Sequence, residues 1–189
     1  GTEKSPGFKL FAVSGHVANP GIYEAPLGIT MRELLEYAGG VRNGHDLKFW
    51  LPGGSSVPML TADHLDTPLT YEDIAAAGSM LGTGTPMVFD ETTSVVRAIT
   101  GWLDFYKHES CGKCTFCRIG TLRMLETLTR ITEGKGELED ITRLEELANN
   151  IIKGSLCGLG QTAPNPVLTT LRYFKHEYLA HIEDKRCPA

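Results

Sequence analysis

Five cysteines carry the chemistry this sequence can do: Cys111, Cys114, Cys117, Cys157 and Cys187, all in its second half. The first three form a CxxCxxC run, a spacing that lets one tight loop aim three thiolates at a single centre, with Gly112 easing the bend. Cys157, in GSLCGLG, follows forty positions later, across what reads as one helical hairpin. Four cysteines on two segments are the donor set of a [4Fe-4S] cluster. Gly154, Gly158 and Gly160 would let the backbone approach a bulky group. Structural zinc is the competing reading, although zinc knuckles usually pair two CxxC units rather than stack three cysteines at one interval. A third reading takes CGKC as a redox dithiol, which expects a strand before it and a helix after it; here an amphipathic helix precedes it. Such clustering favours metal binding over disulfides. Cys187, in the tail KRCPA, reads as a free terminal thiol.

Lys107, Lys113, Arg118 and Arg123 surround the triplet in sequence. Positive charge there would favour the reduced, more anionic state of a thiolate-bound cluster; an equal reading makes them solvated surface charges. His108, beside Glu109, reads as a surface or capping residue. His176 and His181 are not brought near the cysteines by spacing and receive no role.

The elements that must position these cysteines are helices. Beyond Asp90 the apolar period is about three and a half, in four stripes. These are Val95, Val96, Ile99, Leu103 and Tyr106; Leu122, Leu125 and Leu128; Ile141, Leu144, Leu147, Ala148 and Ile151; and Val167, Leu168, Leu171, Phe174, Tyr178 and Ile182. A four-helix bundle is expected, broken at 109–120, 133–137 and 153–166, so that two breaks hold four of the five cysteines. Before Asp90 the pattern is α+β. Strands are expected at 8–17 and 21–27, then a helix MRELLEYAGG capped by Thr30 with Glu33 three residues on and stopped at Gly39. Strands at 47–51, within 52–60, and at 86–90 follow. Phe11, Val13, Leu34, Leu35, Leu51 and Val88 are its expected core. That order suits a small β-grasp, ubiquitin-like domain. The expected division is therefore 1–90 and 91–189, the boundary coinciding with a shift from a Gly- and Pro-rich half to a charge-balanced one.

Composition removes other classes. The net charge is −5, from 18 basic and 23 acidic residues, and no basic cluster exceeds a dipeptide, so nucleic acid is not an expected partner. No run of eighteen apolar residues could cross a bilayer, and GTEKSPGFKL lacks the apolar stretch of a signal peptide. Direct membrane insertion is not expected, and the expected location is cytoplasmic. A start at Gly1 without Met suggests a fragment, a processed product or a trimmed chain.

ESCGKCTFCRIG and SLCGLGQTAPNPV, preceded by AGSMLGTGTPMVFDETTSVV, closely resemble the C-terminal half of the NADH-binding flavoprotein subunits of respiratory complex I (NADH-quinone oxidoreductases). Diaphorase subunits of NAD-reducing hydrogenases and formate dehydrogenases share the segment. VSGHVANPGIYEAPLGITMRELLEYAGG and LPGGSS resemble that family's soluble-ligand-binding β-grasp domain, so the likeness runs nearly end to end. It implies that Cys111, Cys114, Cys117 and Cys157 hold one [4Fe-4S] cluster. Electrons would come from flavin mononucleotide (FMN), reduced by NADH in the N-terminal part of the same subunit. They would leave to partner subunits, a small thioredoxin-like [2Fe-2S] protein and a large multi-cluster iron-sulfur protein, in the peripheral arm of a membrane-associated complex.

Two departures stand out: Phe116 replaces the proline usual inside the triplet, and Ile119 stands where Glu is common. Neither removes a thiolate. The glycine-rich phosphate loop of the flavin and NADH domain has no counterpart: no GxGxxG occurs, and GSMLGTG at 78–84 has the wrong spacing. No FMN-binding, NAD-binding or catalytic residue is therefore expected here. The loop from Pro52 to Ser56 offers an anion cradle or a plain turn.

Overall fold

The computed structural model describes residues 1–189, which divide into two compact units, Gly1–Thr93 and Ser94–Ala189. In the first, alternating apolar residues build β1 (Phe8–Gly15) and β2 (Gly21–Pro26), an antiparallel hairpin in the register Phe8 to Pro26. The helix α1 (Met31–Tyr37) starts at a full capping box: Thr30 accepts from the Glu33 N–H while Glu33 reaches back to Thr30. It ends against Gly39, whose φ of 77° is left-handed. Then come β3 (Leu47–Leu51), α2 (Tyr71–Ala76) and β4 (Met87–Asp90).

The sheet order is β2-β1-β4-β3, with the central pair parallel and both outer pairs antiparallel, which is the β-grasp arrangement. Gly15 ends β1 where only glycine fits: its φ is 85° and a Cβ would stand 2.2 Å from the Val88 carbonyl oxygen. Met31, Leu34 and Leu35 of α1 pack with Phe11, Val13, Trp50 and Val88 into one core. Leu51 is equally buried but lies outside that cluster. The other face of the hairpin leaves Phe8, Leu10 and Ile22 exposed.

Three details differ from the sequence expectation. Residues 52–60 form no strand; a single bridge joins Trp50 to Leu60, because Pro52 and Pro58 have no N–H to give a ladder. The helix α2 was not expected, although Thr70, accepting from the Asp73 N–H at 2.9 Å, is a legible cap. Asp90 does not end the first unit. It is fully buried, taking the guanidinium of Arg42 at 2.9 Å, the His16 ring at 2.9 Å and the Thr92 hydroxyl at 2.6 Å, so the first unit runs on to Thr93. Burial raises the Asp90 pKa, but these bonds outweigh it and hold the carboxyl below the ordinary range.

The second unit is helical: α3 (Val95–Glu109), α4 (Thr115–Thr132), α5 (Glu139–Gly154), α6 (Gly158–Thr162), α7 (Asn165–Tyr173) and α8 (Lys175–Ile182). The expected fourth helix is two helices. At Phe174 (φ −129°, ψ 29°) the backbone leaves the helix, after a turn in which the Thr169 and Thr170 hydroxyls bond back to carbonyls of Asn165 and Pro166. One non-helical residue keeps Val167, Leu171, Phe174, Tyr178 and Ile182 all buried. The stripe of α4 also differs. Thr121, Met124, Leu128 and Ile131 are its buried line, and Leu122 and Leu125 flank it half-buried. Glu177 of α8 is buried and accepts the Val95 N–H at 3.1 Å, capping α3 where Ser94 does not.

Candidate metal centre

The hairpin of α4 and α5 sets the site. Asp140, fully buried at the start of α5, accepts the Glu137 N–H at 2.9 Å and pairs with Arg130 and Arg143. That latch closes the 133–137 turn and returns the chain antiparallel, so the end of α5 reaches the start of α4. Two glycines make the contact close: a Cβ on Gly120 would meet Ile151 at 2.4 Å, and one on Gly154 would meet the Phe116 ring at 2.3 Å. Phe116, the residue replacing the family's proline, thus packs on the segment that carries Cys157.

The triplet is not wholly a loop. α4 begins at Thr115, so Cys114 is its N-cap residue and Cys117 lies in its first turn; Cys157 likewise precedes α6. The backbone can turn this way because Gly112 has a φ of 76°. One cavity of about 100 Å³ is lined by Cys111, Cys114, Cys117 and Cys157, with Glu109, Ser110, Ser155 and Leu159. Cys111 and Cys157 are exposed, Cys114 is half-buried and Cys117 is buried. Cys187 is not in this lining.

Hydrogen bonds already converge on the sulfurs. The Ser110 Oγ accepts the Gly112 N–H at 3.4 Å and shares a hydrogen bond with the Cys117 Sγ at 3.2 Å, in which it is the donor whenever the sulfur is a thiolate. The Leu156 N–H points at the Cys114 Sγ at 3.4 Å. Behind them Thr121 donates to the Cys117 carbonyl at 2.8 Å, tying the buried cysteine to α4. Of the four nearby cations only Arg118 has a bond to the triplet, from Nη1 to the Gly112 carbonyl at 3.3 Å. Lys107 pairs with Asp104 and Arg123 with Glu126, while Lys113 is exposed. His181 is buried on α8, its pKa lowered by burial and by Arg97 against the opposing pull of Glu177.

The donor set fits a polynuclear cluster better than one ion. Three of the four thiolates come from one CxxCxxC run rather than from paired CxxC knuckles, the usual zinc arrangement. The cavity is several times the roughly 10–15 Å³ that one water occupies. Gly160 keeps it open, because a Cβ there would meet the Ser155 Oγ at 2.3 Å and the Cys117 Cβ at 3.1 Å. Gly160 is thus needed for side-chain room rather than for backbone approach, and Gly158 has nothing within 4 Å of a Cβ. Sequence reasoning passed over Ser110 and Ser155, although each lies within two residues of a cysteine in its segment.

Comparison with known proteins agrees in kind. Residues 97–181 match the NADH-ubiquinone oxidoreductase-F iron-sulfur binding region, and residues 10–60 match the SLBB domain. The whole chain is 58% identical to 42% of the NADH-quinone oxidoreductase F subunit of Mycobacterium bovis. It resembles the C-terminal part of that protein. The corresponding F subunit of Streptomyces coelicolor is 57% identical, again over all of this chain and 42% of its own length. The NADP-reducing hydrogenase subunit HndC of Solidesulfovibrio fructosivorans is 45% identical over all of this chain and 39% of its own. The crystal structure of an NAD+-reducing [NiFe]-hydrogenase in the H2-reduced state superposes with a TM-score of 0.87 at 34% identity, covering 97% of this chain and 31% of that one. This chain therefore spans only about two fifths of the length of the curated oxidoreductase relatives it matches.

The loop at Pro52 to Ser56 is a turn. Gly53 lies against the backbone of Leu81 and Gly82, where a Cβ would come within 2.3 Å of the Leu81 carbonyl oxygen. Gly53 serves that backbone crossing.

Proposed function

We propose that this chain is the electron-transfer portion of an NADH-quinone oxidoreductase flavoprotein subunit, with Cys111, Cys114, Cys117 and Cys157 as the ligands of one [4Fe-4S] cluster. The observation that carries the reading is the shared cavity of four cysteines from two segments within the matched iron-sulfur region. When bound, such a cluster supplies one-electron uptake and release. The protein's own part is to fix the four thiolates on a braced helical hairpin, and to present donors from Ser110 and Leu156 to sulfur. The exposed edge at Cys111 and Cys157 keeps the path to a partner short. Leu156, 79% exposed beside Cys157, supports that edge as a docking surface.

The parent protein would hold FMN and NAD outside these residues, and the β-grasp unit, through exposed Phe8, Leu10 and Ile22, would dock on that flavin-bearing part. Small thioredoxin-like [2Fe-2S] and large multi-cluster iron-sulfur subunits are the proposed partners, in a cytoplasmic peripheral arm. No helix is long and apolar enough to cross a membrane. A diaphorase role in a hydrogenase is the second reading, supported by the hydrogenase superposition; the first is favoured by the higher identity to the quinone-linked relatives. The competing zinc reading, an interaction module stapled by one zinc with a β-grasp partner-binding surface, is not favoured, since the matched region is an iron-sulfur binding region.

The test is anaerobic iron and sulfide analysis of the chain, followed by reduction. Four irons and four sulfides per chain, reducible by dithionite but not by NADH until a flavin-bearing domain is added, are expected. A single zinc, or NADH-driven dye reduction by the chain alone, would overturn the proposal.

A further inference from the structure

Three buried side-chain polar atoms have no partner in the protein: Ser94 Oγ, Ser155 Oγ and His181 Nε2. Of these residues only Ser155 lines the cysteine cavity. Its main chain is satisfied at both ends, the N–H donating to Ile151 at 3.0 Å and the carbonyl accepting from the Gln161 amide at 3.0 Å. The hydroxyl alone is left over. Buried hydroxyls are rarely orphaned, because leaving one unpaired forfeits its hydration with nothing in return. Gly160 shows where this one sits: a Cβ on residue 160 would meet the Ser155 Oγ at 2.3 Å and the Cys117 Cβ at 3.1 Å, so the hydroxyl is packed on Gly160 close to the buried cysteine.

We propose that Ser155 is a positioning residue whose hydroxyl donates a hydrogen bond to a sulfur of the group held in this cavity, raising its reduction potential. The inference rests on the cluster reading above. A hydroxyl has one proton to give, and an anionic sulfur is its natural acceptor there. One-electron reduction adds negative charge to the sulfurs, so the bond is stronger in the reduced state than in the oxidised one, and the potential rises. The Ser110 Oγ stands 3.2 Å from the Cys117 Sγ on the triplet side, placed to make the corresponding bond to a thiolate. Two serines, one on each cysteine segment, would then flank the most buried sulfur.

Iron and sulfide analysis of the unaltered chain comes first, because absence of a cluster sinks the cluster reading and this inference together. With the cluster present, a redox titration followed by its paramagnetic signal decides the inference alone. Ser155→Ala is expected to keep its iron and titrate at a lower potential, while Ser155→Thr, which retains the hydroxyl, stays near the unaltered chain. Equal potentials for Ser155→Ala and the unaltered chain overturn the proposal. Should Ser155→Ala fail to load iron, double-resonance spectroscopy on the reduced chain, before and after brief transfer to D2O, replaces it. The chain then carries Ser110→Ala, to remove the other hydroxyl. A coupled, fast-exchanging proton supports the Ser155 bond, and its absence overturns it.

Discussion

The two units bury their residues for different ends. In the first, Phe11, Val13, Met31, Leu34, Trp50 and Val88 form an apolar core in which the sheet and helix close on each other. In the second, the buried line of α4 is apolar at one end, through Met124, Leu128 and Ile131, and turns at the other into Thr121, Gly120 and Cys117. There the packing gives way to small groups and sulfur around a cavity. The second unit's core is open at that point, and with the proposed cluster bound its stability is expected to depend on that group. The first unit carries no such debt.

The largest test of this contrast is at the thiolates. Ser at Cys111, Cys114, Cys117 or Cys157 is expected to abolish iron binding and lower the unfolding midpoint of the second unit, with the first unchanged. Trp50 and Trp102, one in each unit, report the two transitions separately when the other is replaced by Phe. The reverse experiment comes next. Phe11→Ala is expected to cost the first unit about 3–5 kcal/mol in denaturant unfolding while iron content stays the same. A fragment ending at Thr93 should unfold cooperatively and ignore chelators; a featureless transition would show that the units share one core. Gly160→Ala is smaller, about 1–3 kcal/mol from overpacking, and is expected to be accompanied by faster loss of iron, since the added methyl crowds Ser155 and Cys117.

Acid should separate the units more gently. The Asp90 pKa is depressed, so its contribution to the first unit is complete above the unfolded value of about 3.9 and is lost as pH falls below it. The His181 pKa is also depressed, its neutral ring being the form the fold prefers, so its contribution to the second unit is complete above the unfolded value of about 6.5 and is lost as pH falls from there through the lower value of the folded state. Denaturant midpoints measured between pH 7 and pH 3 should therefore fall first for the second unit. A first unit that weakens earlier would contradict the assignment of these two groups. Smallest of all is Cys187→Ser, expected to leave iron content and both midpoints unchanged.

Much of this was legible in the chain. Thr30, Glu33 and Gly39 announce α1 because capping chemistry is local, and alternating apolar residues announce β1 and β2 because a strand's two faces are written at period two. The three-residue cysteine spacing announced that Cys111, Cys114 and Cys117 would line one cavity for the same reason: neighbours in sequence are neighbours in space. Local signals failed where a distant partner decided the outcome. Leu122 and Leu125 have the spacing of a core stripe, but the line α4 buries between α3 and α5 runs through Thr121, Met124 and Leu128, with Gly120 against Ile151. Asp90, placed at a composition shift, is held inside by Arg42 and His16 from 48 and 74 positions away.

The sequence by itself determined α1, the hairpin of β1 and β2, the helical character of the second unit and the four cysteines on two segments, since each rests on caps, periods and spacings spanning a few residues. Only the tertiary structure decided that the two segments share one cavity, because that depends on the Asp140 latch returning α5 against α4. It alone shows why Gly160 and Gly154 are glycines and why the Ser155 hydroxyl has no partner in the protein, since room and solitude are properties of a place and not of a residue type.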